Sequence, residues 1–490
     1  MLGNKMTKIR QNPSRRGLSC YMQVNPNENE PQSADPTAAG IPPWLLPFLV
    51  PAAGGALFGY DIGASSALVR ILGEKQTLFG TLDPVQLGLV ASGSLFGAVA
   101  ASAALIFIGD RYFGRKQELV ASGVLYTLGT ALQAASSSFG MLIGSRILYG
   151  LGIGTAMHAA PLYIAETAPS ELRGKLVSLK EAAIVLGIVA GYATGAAFGD
   201  EGAWRNVLAA ALPIEAAMIL GTAFIPESAR WLSLRGRTEE AEAAVRALSK
   251  VSSEEAKIQV NSMTSMVDLK EKLSFQESFS RLVSDATNRK ALTIGVGLVL
   301  FQQLSGQPSV LYYANRIFER AGLGFEAAVG VGLFKALMTL ISVNLVEDPK
   351  WGRRPLLLLG TSGMAVSLLA LAALFSGGAD SVNQSAVIAS IVAYVGCYQI
   401  GFGPITWLIL SEVFPLKIRA AAVSVGTLAN FGSNVLVTLA FESERQSLGE
   451  TLLFLQFAAI AVAAVAFEFK LVPETRGLTL EQIEEKIRGD

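Results

Sequence analysis

The chain has 490 residues, of which 51% are apolar and 16% charged, and its 39 basic side chains are balanced by 39 acidic ones. Soluble domains carry about 25% charged residues, so this deficit, with a mean hydropathy of +0.45, argues against an ordinary cytosolic enzyme and for membrane helices. Zero net charge argues against a nucleic-acid binder. Two cysteines and a single histidine, His158, give no disulfide framework and no multi-ligand metal site, so neither metal nor cofactor is expected.

In chain order, the first 43 residues are polar and place Lys5, Lys8, Arg10, Arg15 and Arg16 ahead of the first acid, Glu28. Such a start reads as a cytoplasmic tail or as an organelle-targeting segment. A helix needs about 20 mainly apolar residues to cross a bilayer, and windows of that length predict spans at 44–63, 87–108, 119–137, 141–160, 176–198 and 207–225. Residues 226–290 carry charges at helical spacing (Glu239, Glu240, Glu242, Arg246) and too few apolar residues for a core of their own, which predicts short cytoplasmic surface helices. Further spans follow at 291–314, 325–346, 356–375, 386–410, 421–441 and 451–472. The expected domains are a tail (1–43), a six-helix bundle (44–225), a helical linker (226–290), a second bundle (291–472) and a tail (473–490). Lys and Arg gather in alternate short loops, around Arg111, Arg173, Arg353 and Arg419, which predicts those loops and both termini to be cytoplasmic.

Three signatures recur about 240 residues apart, as in an internal duplication. Glu166, Pro169 and Arg173 form E-x-x-P-x-x-x-R, repeated by Glu412, Pro415 and Arg419. GDRYFGRK at 109–116 is echoed by EDPKWGRRP at 347–355, and Pro226-Glu227-Ser228 by Pro473-Glu474-Thr475. Six spans per copy keep both copies in one orientation, so the expected fold is an all-α integral membrane protein of two parallel six-helix repeats. The motif charges Asp110, Arg111, Arg115, Glu166, Arg173, Arg353, Glu412 and Arg419 fall at cytoplasmic helix ends. There, carboxylate–guanidinium pairs would latch the halves together whenever the cavity faces outward.

GYDIG (59–63), GSRILYGLGIG (144–154), PLYIAETAPSELRGKLVS (161–178), PESARWL (226–232), QQLSGQ (302–307), GPITWLILSEVFP (403–415) and PETRGLTLEQIEE (473–485) occur in this order. With them the chain resembles the sugar porter family of the major facilitator superfamily. SLKEAAIVLG, GQPSVLYYA and EVFPLKIRAAAVS look most like its plant and algal members named D-xylose-proton symporter-like. The resemblance implies the major facilitator fold with about twelve transmembrane helices, no enzymatic activity, and proton-coupled symport of a hexose or pentose by alternating access. A facilitative uniporter is the nearest alternative, and a non-transporting sugar receptor a more distant one. The implied partners are a sugar, protons and the lipid bilayer, with no nucleic acid and a monomeric carrier. Plastid envelope, vacuolar and plasma membranes all remain open as its location.

A sugar presents hydroxyls and an apolar ring face, so its site needs neutral hydrogen-bonding groups and an aromatic surface. The seventh span supplies Gln302, Gln303, Gln307, Tyr312 and Tyr313, and the tenth Trp407. The resemblance implies that Gln302, Gln303 and Tyr312 contact sugar, that Trp407 packs on it, and that Asn430 lies nearby. This chain departs from its relatives at three positions: Pro308 stands where many have Asn, Glu181 where bacterial xylose symporters have Gln, and Lys335 where many have Asn. An isolated mid-bilayer charge costs at least about 2.5–3.5 kcal/mol, so Glu181 and Lys335 are expected to face each other across the cavity. Asp61, in the first span, is the expected proton carrier, because a carboxylate in an apolar helix exchanges a proton as its surroundings change, and Arg146 is its expected partner. His158 and Glu215 stay outside this mechanism.

Overall fold

The computed structural model describes residues 42–490, apart from 75–77, 170–171, 200–202, 269–274, 321, 348–349, 378–382, 416–417, 479 and 490. The basic N-terminal tail and its targeting reading lie outside the described residues. So do the side chains of Asp110 and Arg111. Among the described residues the secondary structure is helical throughout, without a β-sheet.

The first predicted spans correspond to α1 (Leu45–Glu74), α2 (Pro84–Tyr112), α3 (Arg115–Ala134), α4 (Phe139–Thr167) and α5 (Arg173–Phe198). The sixth is split into α6 (Trp204–Ala209) and α7 (Leu212–Thr222), with a proline in the first turn of α7. Four short helices follow: α8 (Ala229–Leu234), α9 (Thr238–Ser249), α10 (Ser253–Asp268) and α11 (Phe275–Ser284). The seventh span comes in three pieces, α12 (Ala286–Leu304), α13 (Gln307–Tyr312) and α14 (Ala314–Arg320). Gly306, at φ 93°, turns the chain between the first two pieces in a conformation that side chains with a Cβ avoid. Then come α15 (Glu326–Glu347), α16 (Arg353–Phe375), and a tenth span bent at Gly401 into α17 (Gln384–Ile400) and α18 (Phe402–Glu412). The last two spans form α19 (Arg419–Leu471), which breaks at Gly449 (φ 76°, ψ 163°), before α20 (Leu480–Arg488).

By length and composition, 8 helices among the described residues are apolar enough to cross a membrane, α17–α18 and α19 each counting as one. The other predicted spans are α3, which opens on Arg115, Lys116 and Glu118, the fragmented α6–α7 and α12–α14, and the second limb of α19. Large apolar side chains such as Leu186, Leu220, Phe224, Val366, Leu436 and Phe469 are exposed on the outside, whereas polar and charged groups are buried between helices. That inside-out distribution suits a chain whose solvent is lipid.

Close packing of α1 on α5 decides where the polar face of α1 points. Gly59 and Gly63 lie so near the α5 backbone at Ile184 and Ile188 that a Cβ at either would overlap it, and Gly187 and Gly191 answer from α5. Asp61, between the two glycines, is thereby turned toward α2 and α4. The 226–290 linker corrects one expectation: it builds a small core of its own, in which Trp231, Leu232, Val245 and Val260 are buried together. Within it, Ser252 and Glu255 cap α10 reciprocally, and the backbone N–H and hydroxyl of Ser252 hold the Glu255 carboxyl below its ordinary range.

Candidate functional site

Asp61 is 3% exposed and Arg146 fully buried, with Nη2 of the arginine 3.2 Å from Oδ1 of the aspartate. Ser94 donates to Asp61 from α2, and Arg146 also donates to Ser65 Oγ at 2.6 Å and to Gln133 Oε1 at 3.4 Å. The pair thus ties α1, α2, α3 and α4 together through hydrogen bonds that satisfy most of its valences. Ser65 lies one turn beyond Asp61, so one face of α1 holds both the acid and a second anchor for its cation.

On the other half, Gln302 is buried on α12 and donates to the Phe402 carbonyl at 2.8 Å, in the first turn after the bend at Gly401. Gln303 donates to Asn430 Oδ1, and its own Oε1 has no partner. Tyr312 OH and Thr406 Oγ1 are likewise buried without partners, next in chain to Tyr313 and Trp407. Tyr313 faces elsewhere, its hydroxyl donating to the Thr438 carbonyl at 3.0 Å. Gln307, Trp407 and Asn430 are half-buried. Gln302, Gln303 and Asn430 are therefore brought together, and polar atoms able to take hydroxyl groups remain on α12, α13 and α18.

The two ends of the molecule differ. At one end the last turns of α1 meet α14: the Asn315 N–H donates to Ser66 Oγ at 2.9 Å and Arg316 to the Val69 carbonyl at 3.3 Å. Arg70 pairs with Glu319 at 3.7 Å and lies 4.0 Å over the Phe325 ring. Behind them Glu442 is completely buried between Arg316 (3.3 Å) and Arg445. At the opposite end, which carries the duplicated motifs, the described pairs run within each half. Arg115 meets Glu166 at 3.6 Å, and Arg353 meets Glu412 at 3.4 Å. Glu227 accepts the backbone N–H of Lys116, and Glu474 those of Arg353 and Arg354, so one acid per copy caps the start of α3 or α16. Arg419 donates to the Phe414 carbonyl, and Arg173 is exposed. Among the described residues, the ion pairs Arg115–Glu166 and Arg353–Glu412 thus each join charges of a single half.

Comparison with known proteins agrees with this geometry. The family described as "Sugar (and other) transporter" matches residues 48–487. The chain belongs to the sugar transporter family. The transporter is 46% identical over 473 residues to "D-xylose-proton symporter-like 3, chloroplastic" of Arabidopsis thaliana, covering 90% of this chain and 82% of that one. It is 33% identical over 441 residues to the galactose-proton symporter of Escherichia coli, covering 88% and 92%. Among solved structures, the inward-open conformation of the xylose transporter XylE from E. coli superposes with a TM-score of 0.76 at 28% identity, covering 90% of this chain and 98% of that one. The transporter accordingly has the major facilitator fold and carries solute rather than transforming it.

The expected Glu181–Lys335 contact is a correction. Lys335 Nζ donates to Gln399 Oε1 at 2.6 Å and lies 5.0 Å from the Tyr398 ring, while Glu181, whose side chain is 52% exposed, pairs with Lys180 at 2.9 Å. An amide and an aromatic face thus satisfy the buried ammonium, and the carboxylate stays hydrated. Sequence reasoning missed Tyr398, Gln399 and Thr339, whose hydroxyl accepts from Gln399 Nε2 at 2.7 Å, and around Arg146 it missed Ser65, Ser94 and Gln133. The Tyr398-Gln399 dipeptide just before a glycine bend in an apolar run was a visible signal. The serines, indistinguishable from the many small residues of these helices, gave none.

Proposed function

We propose that this chain carries a monosaccharide, hexose or pentose, together with a proton by alternating access, as a monomer with the motif end facing the cytoplasm. One observation carries the reading: a buried carboxylate, Asp61, is paired with Arg146 on the helix that also touches the opposite half through Ser66. Protonation of Asp61 removes one charge of that pair and leaves Ser65 as the α1 group still bonded to Arg146, which weakens the hold of α4 on α1. Ser66, next to Ser65, then transmits the change to α14, so proton occupancy and closure of that end become linked. Sugar binds among Gln302, Gln303, Tyr312, Trp407 and Asn430, with Gln307 beside them and Lys335 held nearby by Gln399 and the Tyr398 ring. The likeness to inward-open XylE supports taking this conformation as cytoplasm-facing, with the six-span bundles 44–225 and 291–472 as the moving bodies. A relative named chloroplastic favours the plastid envelope.

Uptake of labelled glucose, xylose and sucrose into proteoliposomes, with and without an imposed pH gradient, tests this. Wild type should accumulate a monosaccharide only with the gradient, and Asp61→Asn should lose accumulation while keeping sugar exchange. Uptake indifferent to the gradient would make the chain a facilitator, and undiminished accumulation by Asp61→Asn would refute the role of the acid.

A further inference from the structure

Asn315 is fully buried on α14, and neither its Nδ2 nor its Oδ1 has a partner, although its backbone N–H is bonded to Ser66. Such a side chain, packed in a helix contact without a protein partner, gains nothing there that an apolar residue of the same size would not give, so its hydrogen bonds belong to another part of the cycle. It lies three residues beyond Tyr312, whose hydroxyl is equally unpartnered, and both belong to the segment cut from α12 at Gly306 and jointed again at Tyr313. That segment is the one that seals the α1 end. Parting of α1 from α14 breaks the bond from the Asn315 N–H to Ser66 and takes that neighbour away from Asn315.

Resting on the transport reading above, we propose that Asn315 is a specificity-determining sugar contact, engaged when the α1–α14 end is open. A carboxamide donates through Nδ2 and accepts through Oδ1 at once, which matches two adjacent hydroxyls of a sugar ring, and the Tyr312 hydroxyl supplies a third contact along the same edge. In the closed arrangement the amide is stripped of partners, so sugar held on this side is released from it as the end seals.

The test is transport by the full chain in proteoliposomes, with initial rates taken separately from each face for glucose, xylose and a set of mono-deoxyglucoses. Asn315→Leu keeps size and removes hydrogen bonding. It should raise the KM on the α1–α14 face by about tenfold for a sugar that uses the contact, with a much smaller change on the motif face. For the deoxy sugar lacking the contacted hydroxyl, that factor should fall toward one. Asn315→Ser should recover part of the loss relative to Asn315→Ala, a comparison that stands even if the leucine variant does not fold. An equal factor for every sugar, or none, would overturn the proposal by reducing Asn315 to a weight on the gate equilibrium. Wild-type protein that moves no sugar would overturn the transport reading, and this proposal with it.

Discussion

At the α1–α14 end charge crosses between the halves, and at the motif end similar charges close on their own half. Arg70 reaches Glu319 and Phe325, and Arg316 reaches both Val69 and Glu442, so arginines from each half hold the other. Arg115 and Arg353, by contrast, spend their charge on Glu166 and Glu412, whose side chains keep 12% and 20% exposure. Glu442 keeps none. Glu442 lies between two arginines of its own half and fixes Arg316, the one that crosses to Val69, whereas the partly hydrated pairs at the motif end change partners at little cost. The difference suits a carrier with one committed seal and one set of charges free to re-pair when the other end closes.

Breaking the committed seal has the largest expected effect. Glu442→Gln leaves Arg445 only its second partner, Glu450 at 3.2 Å, and takes from Arg316 its buried carboxylate, and loss of one partner from a buried pair costs about 3–5 kcal/mol. The population should move toward a form open at the α1–α14 end. In a background lacking Cys20 and Cys397, a cysteine placed at Ser66 should be protected from a membrane-impermeant thiol reagent and become labelled once Glu442→Gln is added. Unchanged protection would mean that the cluster merely stabilises the fold of α19 near Gly449.

The opposite sign is expected at the other end. If Glu166 and Glu412 make stronger pairs across the halves when the motif end closes, Glu166→Gln with Glu412→Gln costs that closed form more than it costs this one, where the acids pair with Arg115 and Arg353, by at most about 1 kcal/mol per pair. Labelling at the Ser66 position should then fall further, and the KM ratio between faces should move opposite to that of Glu442→Gln. Equal destabilisation of both forms, seen as a lower melting temperature with no change in the ratio, would confine these pairs to architecture within each half.

The motif end was far more legible in sequence than the seal. Its charges belong to strings that occur twice, so Glu227 and Glu474 announced a common role before either was seen capping a helix. The membrane spans were equally plain from their apolar windows, except where Gly306 and Gly401 break helices that composition alone would run straight. Gln302, Gln303 and Asp61 stood out because polar groups are rare in such runs. Glu442 and Arg445 did not, since at the end of a predicted span they read as ordinary loop charges, and only the fold brings Arg316 from over a hundred residues away to bury them. Lys335 misled for a related reason: its charge called for a carboxylate, while Gln399 and the Tyr398 ring sit 64 residues away from it in a helix that pairing rules do not single out.

The smallest expected effect separates two partners of one arginine at the seal. Glu319 is 30% exposed and 3.7 Å from Arg70, so water competes for both charges and the pair is worth at most about 1 kcal/mol. Phe325 is 4% exposed, packs beside Gly195 of α5 and presents its face to the guanidinium at 4.0 Å, where a desolvated cation–π contact reaches about 2 kcal/mol. Phe325→Leu should therefore open the seal more than Glu319→Gln does, as read by labelling at the Ser66 position. Arg70→Ala combined with Phe325→Leu should be no worse than the stronger single change, since each removes the same contact. Additive effects would show that Phe325 only fills space beneath α5, leaving the carboxylate as the group that holds Arg70 across the halves.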